Sequence, residues 1–150
     1  MENKEKIGFG LIQISTQQFA IIPDAFDEKN ADTLIDTDLR FGSNPDQMNV
    51  APLIKVTFKQ DKGPFLILEI GCFFGFTPED WNKIYNIETK EIRIPMPGAR
   101  HFVMLTIGTI RGVLHAKTEN TKFSKFFLPT INVNDLVKED VIIKASNSIE

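Results

Sequence analysis

Cysteine occurs once in the 150 residues, at Cys72. One thiol excludes an internal disulfide and fits a reducing compartment. Basic surplus is absent too: 17 Lys and Arg stand against 20 Asp and Glu, a net charge of −3. A general nucleic-acid binder needs clustered cations to displace counterions from phosphates, so that class is not expected. No apolar run reaches the roughly 18 residues of a membrane-spanning helix. The start, Met1-Glu2-Asn3-Lys4-Glu5-Lys6, is charged with no long apolar stretch behind it, which predicts neither signal peptide nor membrane insertion and points to the cytoplasm. Only two histidines are present, His101 and His115. On one helix 14 residues apart they stand ~21 Å from each other, too far to share a metal within a chain. Gly8-Phe9-Gly10 is no phosphate loop, since no strand precedes it and no Gly-Lys-Ser/Thr follows.

Phenylalanine is abundant: 13 against one Tyr and one Trp. A core can absorb many such rings, and a surface for apolar partners can use them too. The length fits a single domain, residues 1–150. The polar ends, 1–6 and 145–150, are expected to fray. Leu11 to Ile22 reads as a strand with Ile12, Ile14 and Thr16 on one face. Phe19 and Ile21 follow in the opposite phase, so a bulge or crossing is expected near Gln17-Gln18. Residues 24–32 read as a loop carrying an exposed Phe26. From Thr33 to Phe41, Ile35, Thr37, Leu39 and Phe41 alternate with Asp36, Asp38 and Arg40, the pattern of a half-buried antiparallel strand. Met48 to Lys59 is the next strand, with Pro52 predicting an edge or a bulge. After the turn Asp61-Lys62-Gly63, the run Phe65 to Phe76 is apolar on both faces and demands cover on both.

Thr77-Pro78-Glu79-Asp80 is a helix start, and the short helix is expected to end at Tyr85. Residues 99–116 read as the one long helix. Ala99, Val103, Ile107, Ile110 and Leu114 form its stripe, and Phe102, Leu105 and Val113 widen it beyond what one contact surface uses. Gly108 and Gly112 each cost ~1 kcal/mol against Ala in a helix, which suggests close approach of a partner. Together, Ile107, Gly108, Ile110 and Gly112 are expected at an oligomer interface. Lys117 to Lys125 is a polar loop. Asn134 is a candidate cap for a short helix through Asp135-Leu136-Val137-Lys138, and Val141-Ile142-Ile143 is β-branched and weakly helical, open to strand or coil instead.

Leu128-Pro129-Thr130-Ile131-Asn132-Val133-Asn134-Asp135-Leu136, following a helix that opens Pro95-Met96-Pro97-Gly98-Ala99-Arg100, resembles the C-terminal half of SecB-type export chaperones. Gly71 to Trp81 is a softer match, and the resemblance spans roughly residues 10–143. It implies an α+β fold: a four-stranded antiparallel sheet, one long helix packed across it and a short C-terminal helix. It also implies a tetramer with long helices at the interface, an ATP-independent holdase function and long apolar grooves for unfolded polypeptide clients. Carried over by position, the groove residues are Ile35, Thr37 and Leu39 with Leu136 and Val137; the sequence adds Phe26 and Phe41. The family delivers clients to the SecA motor through acidic groups on the outer sheet face. Here Gln17, Gln18 and Ile22 stand where acids are expected and only Glu69 matches, so SecA docking is expected to be weak. Some SecB-like proteins instead guard an antitoxin.

Individual residues also have plainer readings. Cys72 among Gly71, Phe73 and Phe74 reads as a small buried hydrophobe rather than a nucleophile. Asp36 and Asp38 read as a solvated sheet face. Arg100 reads as a structural donor and Trp81 as packing. The expectation is a protein that is not an enzyme and needs no cofactor. The alternative is a small-ligand binder or structural oligomer subunit on the same scaffold.

Overall fold

The computed structural model describes residues 7–144; the ends expected to fray lie outside them. Four long strands form one antiparallel sheet: β1 (Gly10–Ile21), β2 (Leu34–Asn44), β3 (Asn49–Gln60) and β4 (Gly63–Gly75). Their spatial order is β1-β4-β3-β2, so β1 and β2 are the edges. A short helix α1 (Pro78–Ile84) follows, then β5 (Tyr85–Asn86) and β6 (Glu91–Ile94). The long helix α2 (Met96–Thr118) comes next, then α3 (Val133–Leu136) and β7 (Val141–Lys144). The fold is therefore α+β, with the four-stranded sheet, long helix and short C-terminal helix that were expected. A second sheet, β5-β6-β7, was not foreseen. The β-branched run at 141–143 finds its ladder partner in Arg93 to Ile94 and their neighbours, which makes it a strand.

Each hairpin follows from its turn chemistry. Gln60 pairs with Gly63 around Asp61-Lys62, and Gly63 holds φ +111, open only to glycine at little cost. Between β2 and β3, Pro45 opens a 3-10 turn that Met48 closes in the left-handed region. Thr77 caps α1: its hydroxyl accepts from the Asp80 N–H, and it donates to the Asp80 carboxylate. Gln60 holds the loop after β1, accepting from the Asp27 N–H at 2.9 Å and donating toward the Asn30 carbonyl.

The register of β1 on β4 slips twice. The slip between Thr16 and Gln18 is the expected bulge, and it returns Phe19 and Ile21 to the side that holds Ile14 and Thr16. The other, between Leu11 and Gln13, removes Ile12 from that row, against expectation; Ile12 instead leans over Gly75. Pro52 also departs from expectation. It stands in the interior strand β3 opposite Phe41, and pairing with β4 passes from Val50–Phe74 to Leu53–Gly71, skipping Ala51 and Pro52. The missing N–H is accommodated at that gap. The short helix ends one residue earlier than expected, at Ile84, and α3 is capped by Asn132 rather than Asn134. Its Oδ1 accepts from the Asn134 N–H at 3.1 Å.

The core lies between the sheet and α2. Even-numbered β4 side chains from Leu66 to Phe74, with Val50, Ile54, Val56 and Phe58 of β3, meet Phe102, Val103, Ile107, Ile110 and Leu114 of the helix. Cys72 is buried in this layer, as a small hydrophobe would be. On the opposite sheet face Ala51, Leu53 and Phe73 form a smaller apolar cluster. The two-faced apolar strand thus finds its outer cover partly in its own sheet neighbours, beside the exposed Arg40–Glu69 ion pair.

Candidate polypeptide-binding surface

The sheet is wider than the helix that covers it. Four strands ~4.7–4.9 Å apart present a face roughly 15–20 Å across, and a helix with side chains spans ~10–12 Å. Helix α2 packs on β3 and β4. The same face of each edge strand is left partly open. On β1, Leu11 is 51% exposed and Ile14 50%, although both lie opposite the buried side chains Phe74 and Cys72 of β4. Phe19 continues the row, with the Lys117 ammonium 4.9 Å from its ring centre. On β2, Ile35 is 37% exposed opposite the buried Phe58. Thr37, Leu39 and Phe41 continue that row half-buried, with β7 alongside.

Two edge rows of apolar side chains therefore flank the helix. Each lies beside an edge strand with one main-chain side unpaired in the sheet. Such an edge accepts extended peptide, because its N–H and C=O groups are already spaced for a ladder.

The chain after α2 packs α3 against that helix and ends in β7 beside β2. Leu128 is buried in the core, Ile131 and Val133 are half-buried against it, and Asn132 caps α3. Leu136 follows half-buried. Val137 is buried, so its side chain belongs to the core rather than to a groove wall; this corrects its place among the expected groove residues. Its carbonyl accepts from Arg100 Nε at 2.9 Å, the structural donation expected of that arginine. Asp140 fixes the segment further, accepting from the Met96 N–H at 2.8 Å and from Arg93 Nε at 3.1 Å.

The Met96 N–H first, and then Arg93, hold the Asp140 carboxyl below the ordinary aspartate range. A depressed carboxyl stabilises the fold above its unfolded value, about 3.9, and that contribution is lost as pH falls through the folded value. Asp140→Asn is therefore expected to speed amide exchange at Met96 above about pH 5. The acid-side loosening of β7 seen in the parent should be weaker in the variant. Equal exchange in parent and variant would remove this latch from the account.

Phe26 is not the exposed loop residue that was expected. Its ring is half-buried 4.8 Å from Phe65, 5.0 Å from Phe123 and 5.7 Å from Phe126, with Lys122 and Lys125 over it. It pins the loop after β1 to β4 and to the loop after α2. The expected interface residues also separate. Ile107 and Ile110 are buried in the chain's own core. Gly108 and Gly112 are exposed on the open side of α2, with no atom near where a Cβ would stand. Met104 and Leu105 are exposed on the same helix.

The row on β1 escaped sequence reading. Two bulges must be counted before Leu11, Ile14 and Phe19 fall on one face, and only one shows as a phase change. Among the described residues, no cluster of three or more metal-ligating side chains occurs, and no helix is long and apolar enough to cross a membrane.

No protein-family model matches the chain, and no curated protein sequence matches it. Among solved structures it is similar to a Mycobacterium tuberculosis SecB-like chaperone in complex with a ChAD peptide from the HigA1 antitoxin. The identity is 10% and the TM-score 0.47, over 83% of this chain and 91% of that one.

Proposed function

We propose that this protein is a nucleotide-independent holdase that binds apolar, extended segments of unfolded polypeptides and works as a homo-oligomer. The observation that carries the reading is the partly open row on each edge strand, beside central strands whose helix-side face is buried. The resemblance of Leu128 to Leu136 to SecB-type chaperones gives the same reading, for clients in export or for an antitoxin. Clients occupy the β2 surface through Ile35, Leu39 and Leu136. A tetramer assembles through the open side of α2 and the β1 row. Each client side chain buried contributes ~1.5–3 kcal/mol, and micromolar binding needs about 8.2 kcal/mol net. Ordering the client costs at least ~2–5 kcal/mol more. Four to eight anchors are therefore needed, more than the few exposed positions of β2 supply, so surfaces joined across subunits and main-chain pairing carry the remainder.

Light scattering of an aggregating unfolded protein tests the function directly. The parent should delay aggregation near stoichiometric ratio without nucleotide, and a protein that only binds small ligands would not. Assembly has its own test. Gly108→Leu should shift the oligomer toward smaller species in size exclusion with light scattering, because its side chain occupies the space a partner helix needs. The same change should not destabilise the subunit, since open space receives it and Leu favours helix over Gly by up to ~1 kcal/mol. An unchanged oligomer would place the interface elsewhere.

A further inference from the structure

The second sheet, β5-β6-β7, buries one face and leaves the other open. Ile92, Ile94 and Ile143 are buried in the core. The alternate positions Asn86, Glu91, Arg93, Ile142 and Lys144 therefore share the outer face. Glu91, Arg93 and Ile142 of that face, with Ile87 and Glu88 of the β5–β6 turn, line a concavity of about 650 Å³. Arg93 and Ile142 also line a neighbouring hollow with Glu139 and Asp140. Two apolar side chains meet solvent here. Ile87 is 77% exposed, the most of any large apolar side chain among the described residues, and Ile142 is 53% exposed. The turn that carries Ile87 has a defined shape. Asn86 Oδ1 accepts from the Glu88 N–H at 2.9 Å and the Thr89 N–H at 3.3 Å, and Lys90 closes the turn at φ 56.

The charge left over in these hollows is of one sign. Their cations are engaged: Lys83 with Asp80 at 3.2 Å and Arg93 with Asp140 at 3.1 Å. Glu88, Glu91 and Glu139 have no ion-pair partner among the described residues. Lys144, opposite Glu91 across the ladder, and Lys90 of the turn line neither hollow.

We propose that the outer face of the second sheet docks a segment of a partner polypeptide in which lysine or arginine stands beside aliphatic side chains. The aliphatic groups cover Ile87 and Ile142, and the cations meet Glu88, Glu91 and Glu139. A neutral apolar segment would strip water from those carboxylates and give them no partner. An acidic segment would be repelled. The face lies on a different sheet from β2, and the inference goes beyond the holdase reading without resting on it.

The full chain is titrated by calorimetry with the blocked peptide Gly-Leu-Lys-Leu-Lys-Gly and with the same peptide carrying Glu in place of Lys. The lysine peptide should bind at least about tenfold more tightly, and the preference should shrink as salt rises, because exposed charges are screened. Glu88→Lys combined with Glu91→Lys should reverse the preference. Ile87→Ser should weaken lysine-peptide binding about tenfold, the loss of one buried aliphatic contact. It should leave the unfolding temperature unchanged, since that side chain is already mostly in water. Equal binding of the two peptides, binding of neither, a preference kept by the double charge variant, or full affinity in Ile87→Ser would overturn the proposal. A smaller oligomer in Ile87→Ser with peptide binding intact would give the face to a second copy of the chain instead. Client protection without lysine-peptide binding removes this docking face and leaves the holdase reading. Lysine-peptide binding without client protection does the reverse.

Discussion

Ile35→Asp is expected to abolish protection of aggregating clients while leaving the subunit folded and assembled. Ile35 is exposed enough for a carboxylate there to stay hydrated in the free protein. A client packing over it must strip that water. The variant loses the ~1.5–3 kcal/mol of one buried aliphatic contact and adds the cost of desolvating a charge. A loss of about 3 kcal/mol weakens binding more than a hundredfold. Leu136→Asp in α3 should act in the same direction. Leu39 is a poorer choice for this test, because it is packed against the core and its replacement would cost stability as well. Client aggregation followed by light scattering, with circular dichroism and size exclusion on each variant, separates lost binding from lost fold. Full protection by Ile35→Asp would move the client site away from β2.

The second large effect concerns stability. Phe65 is 0% exposed and its ring stands 4.8 Å from Phe26, 5.1 Å from Phe126, 6.2 Å from Phe123 and 6.5 Å from Phe58. It reaches the core because the ladder slips between Phe58 and Lys59 and turns Phe65 to the helix side beside Leu66. Phe65→Ala should cost ~3–5 kcal/mol, a large share of the ~5–15 kcal/mol total of a domain. Because this cluster ties the loops after β1 and α2 to the sheet, both loops should exchange amides faster in the variant. Denaturant unfolding measures the first effect and hydrogen exchange the second. A loss below about 1 kcal/mol would mean that the neighbouring rings close over the gap.

Much of this architecture was legible in the chain because period-two alternation survives wherever strands pair without interruption. Thr33 to Phe41, the Asp61-Lys62 hairpin and the Thr77 cap all read directly. The stripe from Ala99 to Leu114 gave α2, which extends to Met96 and Thr118 because Pro97 suits a first turn and the last turn continues through Thr118. Local signals failed where a partner distant in sequence decides the outcome. The pairing of Val141 to Lys144 with β6 is written in neither segment alone. Pro52 argued for an edge or a bulge, yet it stands in an interior strand with β2 and β4 on either side. At the candidate site, Ile35, Leu39 and Leu136 read from alternation and from the resemblance. Val137 did not, because only Arg100 and Asp140 reveal that the segment turns inward there. Ile107 and Ile110 looked like interface residues for a related reason: a helix that fits a narrow place on a sheet buries a wide arc, and the sequence alone does not say against what.

The central claim is that the open edge strand β2 holds extended polypeptide. Hydrogen exchange of the full chain, with and without a saturating unfolded client, tests it at the residues concerned. Client binding should slow exchange at amides of β2 between Leu34 and Phe41 that β3 leaves unpaired, while the central strands β3 and β4 change little. Protection confined to loops, or edge amides that exchange equally fast with the client bound, would contradict the account.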